Sequence, residues 1–212
     1  MKIGFLHTSA AHVVTFDDLL AGVPGDHSVH IVKEEWLAEA VASGFSRKLE
    51  LQVTNLLAKM ARDSDVVICT CSSLGRIAQD VRREDVFRVD EPMMEQAADH
   101  GDVLLVMCLE STVEPSSSLL EAAFSAKGKL PTYRTLVCSD AWQHFETGDP
   151  ASFGRSIASA IRRDLASHEE PGCIVLAQTS MSVAVSYLAG NAIPVLSSPE
   201  SAVDRAIALA TG

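Results

Sequence analysis

A chain of 212 residues has room for one α/β domain or two small packed halves, which excludes a large multidomain enzyme. Hydrophobic residues at 47% and charged residues at 21% provide a sizeable core and exclude disorder as the resting state. Seventeen basic against 28 acidic side chains give a net charge of -11, and no stretch gathers Lys and Arg against a run of phosphates, so neither nucleic acid nor a membrane is an expected partner.

In chain order, short β-type runs alternate with helical periods. The runs are Lys2 to Leu6, Ser28 to Val32, Asp65 to Thr70, Val86 to Val89, Val103 to Cys108, Thr135 to Cys138, Cys173 to Ala177 and Ile193 to Leu196. Apolar residues at helical spacing lie between them: Leu49, Val53, Leu56, Leu57 and Met60; Leu74, Ile77, Ala78 and Val81; Phe153, Ile157, Ile161 and Leu165. Strand followed by helix, repeated, predicts an α/β fold with parallel sheets covered on both faces, where ligands bind beyond the carboxyl ends of the strands. The longest apolar runs, such as Val103 to Leu109, fall far short of the roughly 20 residues that span a bilayer. Met1 to Leu6 carries no signal-peptide pattern, so the expected location is cytoplasmic. Five cysteines are an odd number for a disulfide framework, and Cys69, Cys108 and Cys173 lie in apolar runs where a reduced thiol behaves as a small hydrophobe.

Sliding the sequence along itself by 107 residues lays Asp65 to Leu74 on Gly172 to Met181 and Val86 to Pro92 on Ile193 to Pro199. Ser73 then meets Ser180, and Pro92 meets Pro199. Val103 to Cys108, followed by Ser111 and Thr112, likewise resembles Ile3 to Leu6 followed by His7 and Thr8. The reading is two similar half-domains related by a pseudo-two-fold axis. The first spans residues 1–100 together with a C-terminal helix from about 200 to 212, and the second spans 101–199.

In each half a buried strand gives way to a helix within two residues. The free N–H groups of that first turn, with the positive end of the helix dipole, suit an anion. Ser72 or Ser73 in one half and Thr179 or Ser180 in the other are candidate caps whose hydroxyls can also donate to a carboxylate. Two such turns across a cleft would hold a small carboxylic acid. Cys71 stands at the head of the first turn, where a helix N-terminus lowers a thiol pKa. No second cysteine pair or His cluster stands at metal-ligand spacing, and no glycine-rich phosphate loop occurs, so no metal and no cofactor are expected.

At these residues the sequence resembles the aspartate/glutamate/hydantoin racemase superfamily, cofactor-independent enzymes of two similar α/β lobes with the active site between them. Val66-Val-Ile-Cys-Thr-Cys71-Ser-Ser73 is similar to the first signature of that family, a hydrophobic strand then Cys-Asn-Thr, with Cys71 on the catalytic cysteine. A second register would put Cys69 there. Ile174-Val-Leu-Ala-Gln178-Thr-Ser180 is similar to the second signature, a strand then Gly-Cys-Thr, but Gln178 replaces the second catalytic cysteine. The chain also resembles a less characterised branch carrying Leu6-His7-Thr8, Thr70-Cys71-Ser72-Ser73, Arg88-Val89-Asp90-Glu91 and Ala177-Gln178-Thr179-Ser180-Met181 at the corresponding places.

The resemblance implies an enzyme acting at the carbon next to a carboxylate of a small carboxylic or amino acid. Cys71 and His7 are then the candidate catalytic groups, and Thr8, Ser72, Ser73, Ser111, Thr112, Gln178, Thr179 and Ser180 the candidate substrate-binding ones. Arg88, Asp90 and Glu91 read as structural. Gln178 cannot act as the second acid or base of a two-thiol racemase. Single-cysteine decarboxylation or cis-trans isomerisation of a dicarboxylate, or carboxylate binding without catalysis, are therefore the alternatives. A homodimer or higher homo-oligomer is the expected assembly.

Overall fold

The computed structural model describes residues 1–24, 27–190 and 192–212. Every run read as a strand overlaps one: β1 (Lys2–His7), β2 (His27–Val32), β3 (Val66–Cys69), β4 (Val86–Arg88), β5 (Val103–Met107), β6 (Tyr133–Val137), β7 (Cys173–Leu176) and β8 (Val195–Ser197). The helices are α1 (Ala11–Leu20), α2 (Glu34–Ser43), α3 (Arg47–Asp63), α4 (Ser72–Asp80), α5 (Glu91–His100), α6 (Val113–Ala126), α7 (Ser139–Glu146), α8 (Pro150–Leu165) and α9 (Ser198–Thr211). Two 3-10 helices cover Glu110–Thr112 and Thr179–Leu188.

The three helices read from apolar spacing are α3, α4 and α8, and the longer two carry clear start signals. Ser46 caps α3 by accepting from the Leu49 N–H at 3.1 Å. Asp149 caps α8 by accepting from the Ser152 N–H, with Pro150 in the first turn and Arg162 and Arg163 in the last.

The chain divides into two compact units, Met1–Asp90 with Pro199–Gly212, and Glu91–Ser198. Each holds one four-stranded parallel sheet, in the order β2-β1-β3-β4 in the first and β6-β5-β7-β8 in the second. The central strands β1, β3, β5 and β7 are buried on both faces, which is why they read as near-continuous apolar runs.

In the first unit, Ile3, Phe5, Val66 and Ile68 pack under α1 and α9 through Phe16, Leu20, Ala202, Val203 and Ala206. On the opposite face Leu6, Val67 and Cys69 meet Trp36, Leu49, Val53, Leu57, Leu74 and Ile77 of α2, α3 and α4. The second unit repeats the scheme. Val103, Leu105 and Val175 meet α5 and α6, while Leu104, Val106, Ile174 and Leu176 meet α7, α8 and the 3-10 helix at Thr179–Leu188.

This topology fixes where each unit can bind a ligand. From β1 the chain crosses to one neighbour and from β3 to the other, so the carboxyl ends of β1 and β3 flank a switch point, the crevice that open parallel sheets use for ligands. The ends of β5 and β7 flank the corresponding one.

The structure departs from the sequence reading at the second turn. After β7 the backbone enters ten residues of 3-10 helix instead of an α-helix. Met181, Ala184 and Tyr187 recur every three residues, the 3-10 period, and the Val and Ser residues between them have little α-helical preference. Gly154 of α8 makes room for this helix, because a Cβ there would stand 2.7 Å from the Tyr187 ring.

Candidate active site

In the first unit the end of β3 delivers Cys71 in extended backbone, φ -99° and ψ 111°, as the N-cap residue of α4. Ser72 and Ser73 therefore fall inside the first turn, which corrects their assignment as caps; both are buried. The Thr8 hydroxyl, just past β1, and the N–H groups of Ser73 and Leu74 point at the Cys71 sulfur and favour its thiolate. Burial outweighs them. The thiol is held above its ordinary value, not lowered by the helix terminus as expected from sequence, because desolvating a thiolate costs more than those donors return. Cys69 lies one pleat deeper, fully buried, its Sγ 3.9 Å from the Cys71 carbonyl and its pKa pushed by burial to about 12.

Beneath α4 runs a buried ion pair. Arg88 Nε and a terminal guanidinium nitrogen donate to the two Asp90 oxygens at 2.6 and 2.9 Å, and the guanidinium also reaches the Ser72 carbonyl at 3.4 Å. Gly75 permits it: a Cβ at that position would stand 2.8 Å from Arg88 Nε. The structural reading of Arg88 and Asp90 agrees with this arrangement.

His7, at the end of β1, is fully buried with both ring nitrogens engaged. Nδ1 lies 2.8 Å from Thr70 Oγ1, and Nε2 lies 2.8 Å from His30 Nδ1. His30 Nε2 reaches Asp17 Oδ1 at 3.0 Å. Thr70 Oγ1 donates its proton to the Leu6 carbonyl at 3.2 Å, so His7 Nδ1–H donates to Thr70 Oγ1 and the unprotonated His7 Nε2 accepts from His30 Nδ1–H. Burial, with the His12 and His30 rings adding to it, lowers the His7 pKa to about 3. His7 thus forms the inner part of a polar chain that begins at exposed Asp17 and ends on Thr70, the residue before Cys71. Sequence reasoning missed Asp17, His30 and His12. The only trace of them is the histidine in β2 and those near α1, which carry no motif.

In the second unit Gln178 occupies the position of Cys71 relative to the strand, yet its chemistry is spent differently. Its Oε1 accepts from the Cys108 N–H at 2.6 Å and the Leu109 N–H at 3.3 Å, so the amide carbonyl is tied to the end of β5. Only the NH2 is left to meet a ligand. Thr179 is buried and lies 3.5 Å from Ser198 Oγ; Ser180 is half-buried. Thr112 is buried and donates to the Leu109 carbonyl at 2.6 Å, whereas Ser111 is exposed on the 3-10 turn. Cys108 is buried, which raises its pKa strongly. Among the described residues no three His, Cys, Asp or Glu side chains cluster as metal ligands, and no helix is long and apolar enough to cross a membrane.

Solved structures with this architecture include the glutamate racemase isoform RacE1 from Bacillus anthracis, at TM-score 0.70 and 16% identity over 98% of this chain and 80% of that one. The aspartate racemase of Picrophilus torridus matches at TM-score 0.70 and 15% identity over 98% and 94%. This chain has the racemase fold. An arylmalonate decarboxylase bearing an introduced cysteine matches at TM-score 0.60 and 16% identity, covering 100% of this chain and 94% of that one, so the same fold is shared with a decarboxylase. No protein-family model matches the sequence, and no curated protein does.

Proposed function

We propose that this chain is a cofactor-independent enzyme acting at the carbon next to a carboxylate of a small carboxylic or amino acid, with Cys71 as the thiol that moves the proton. The observation that carries the reading is the setting of the Cys71 sulfur: at the N-terminus of α4, beside the β1/β3 switch point, with the Thr8 hydroxyl and two backbone N–H groups turned toward it. Negative charge that develops near that buried sulfur, on the thiolate or on an enediolate oxygen of the substrate, meets preset donors. Held as a thiol by burial, Cys71 is poised to give its proton to an enediolate carbon, and the thiolate so formed is what those donors stabilise.

Thr8, Ser72, Ser73, Thr112, Thr179 and Ser180 are assigned to substrate binding, and Gln178 to orienting a carboxylate or carbonyl through its NH2. His7 is assigned to positioning: with both nitrogens engaged and the ring neutral, it fixes Thr70 and the strand end beside the thiol. A second reading, one-sided protonation after decarboxylation, is favoured by Gln178, whose carbonyl is committed to the main chain and whose amide has no titratable proton near pH 7 to serve as an acid or base. In that reaction the bond from the α-carbon to the departing carboxylate breaks. Its electron pair forms the enediolate, and the Cys71 S–H proton ends on carbon.

Incubation with a panel of amino acids, 2-substituted malonates and dicarboxylates in deuterated water tests both readings. Incorporation of deuterium at the α-carbon, or CO2 release from a malonate with one product enantiomer in excess, and loss of either in Cys71→Ala, is the expected result. Ligand stabilisation with neither reaction would show a carboxylate binder instead.

A further inference from the structure

Among the described residues, the buried side-chain polar atoms with no hydrogen-bond partner are Nδ1 and Nε2 of His12 and Oγ of Ser116. His12 is the unusual case, because both ring nitrogens of a half-buried imidazole are withdrawn from water with neither satisfied, at a cost in stability that an apolar side chain of similar size would avoid. It lies in the first turn of α1, past the carboxyl end of β1, edge-on to the His7 ring with centroids 6.2 Å apart. That is the mouth of the β1/β3 switch point, five residues or fewer from both His7 and Thr8 along the chain.

We propose that His12 recognises the substrate of the Cys71 site by hydrogen-bonding a second, uncharged polar group on it: an amide or hydroxyl rather than a second carboxylate. The inference rests on the reading of Cys71 as the reacting thiol and adds the chemical class of the substrate's other end. Three observations set that class. Burial keeps the ring neutral down to about 4, so it offers one donor and one acceptor, the complement of an amide or a hydroxyl. The N-terminus of α1 already holds an anion, since the Ala10 N–H donates to Glu34 Oε1 at 3.1 Å, and a second carboxylate would be repelled there. The buried Arg88 cation of this unit is committed to Asp90 and gives such a carboxylate no counter-charge.

Thermal melting with three probes of matched length tests this: butanoate, succinamate and succinate. The unaltered protein should be stabilised most by succinamate. His12→Leu should melt higher than the unaltered protein without ligand, bind succinamate about tenfold more weakly and keep its response to butanoate, while His12→Gln, with a donor and an acceptor, retains the succinamate preference. A lower melting point for ligand-free His12→Leu, an unchanged succinamate response in it, or no preference for succinamate in the unaltered protein would overturn the proposal. Should His12→Leu not fold, the ring-nitrogen resonances of His12 in the unaltered protein decide: succinamate shifts them if the proposal holds, and unmoved resonances refute it. The same preference measured on Cys71→Ala requires no chemistry, so failure of the thiol mechanism and failure of the His12 contact give separate results.

Discussion

The two strand-end turns are built on the same plan and used in opposite ways. In the first unit the second residue after the central strand is Cys71, and the neighbouring strand end and the helix N-terminus turn Thr8 and two N–H groups toward its sulfur. In the second, Gln178 stands at the matching place, but its carbonyl takes the N–H groups of Cys108 and Leu109 for itself, and a 3-10 helix follows. One turn aims its donors at the thiol proposed to react; the other consumes donors to hold its own sheet together. A repeated supersecondary unit therefore preserves position, while the side chain standing there sets what the surrounding donors face.

The largest effect that sharpens this contrast is on turnover. Cys71→Ala should lower α-carbon exchange or decarboxylation by about 10³-fold or more, whereas Gln178→Ala should act mainly through a KM raised by about tenfold. Steady-state kinetics separate the two, and an equal loss of kcat in both variants would make the turns chemically equivalent after all. The reverse exchange, Gln178→Cys, should create or raise racemisation of both enantiomers, read by polarimetry or chiral chromatography.

The next effect concerns the glycines that let each turn pack. Gly75→Ala forces a Cβ into the buried Arg88–Asp90 pair and should cost ~3 kcal/mol of stability. Gly154→Ala meets the half-buried Tyr187 ring and, at 3.1 Å, the Val183 carbonyl oxygen, with no buried charge disturbed, and should cost about 2 kcal/mol. Urea unfolding of both variants reads the difference.

A smaller asymmetry lies in pH. His7 and His12 keep folded-state values of about 3 and about 4 against 6.5 when free, so the unfolded chain binds protons that the native first unit refuses. Their contribution is whole above pH 6.5 and drains away as pH falls toward 4, on the order of 2 kcal/mol per histidine between pH 6.5 and 5. A flat melting temperature across that range would contradict the neutral, buried state of these rings.

The smallest predicted signal is thiol labelling. With its pKa raised, Cys71 should alkylate slowly near neutral pH and faster as pH climbs past the usual thiol range. It should still outpace Cys69, Cys108 and Cys173, which burial also raises, because hydroxyl and helix N–H donors favour its thiolate. Peptide mapping after timed iodoacetamide treatment reads the order, and faster labelling of Cys138 would move the reactive thiol to the other unit.

The sequence by itself placed the strands, most plainly the central β1, β3, β5 and β7, because strands buried on both faces must be unbroken apolar runs such as Val66 to Cys69 and Cys173 to Leu176. It also placed Cys71 and Gln178 at equivalent turns, since the 107-residue repeat matches β3 to β7 residue for residue. It did not reveal α1, where two valines and a threonine blur the helical period, nor the 3-10 helix after Gln178, which packing against Gly154 selects. Only the tertiary structure decided what surrounds the thiol. The histidine chain joins β1, β2, α1 and the end of β3, segments distant in sequence that meet at one sheet edge, and desolvation there reverses the pKa shift that the helix terminus alone would give Cys71. Local pattern fixes which residues reach the carboxyl edge of a sheet; burial and partners, which are sums over the whole fold, fix their protonation and therefore their chemistry.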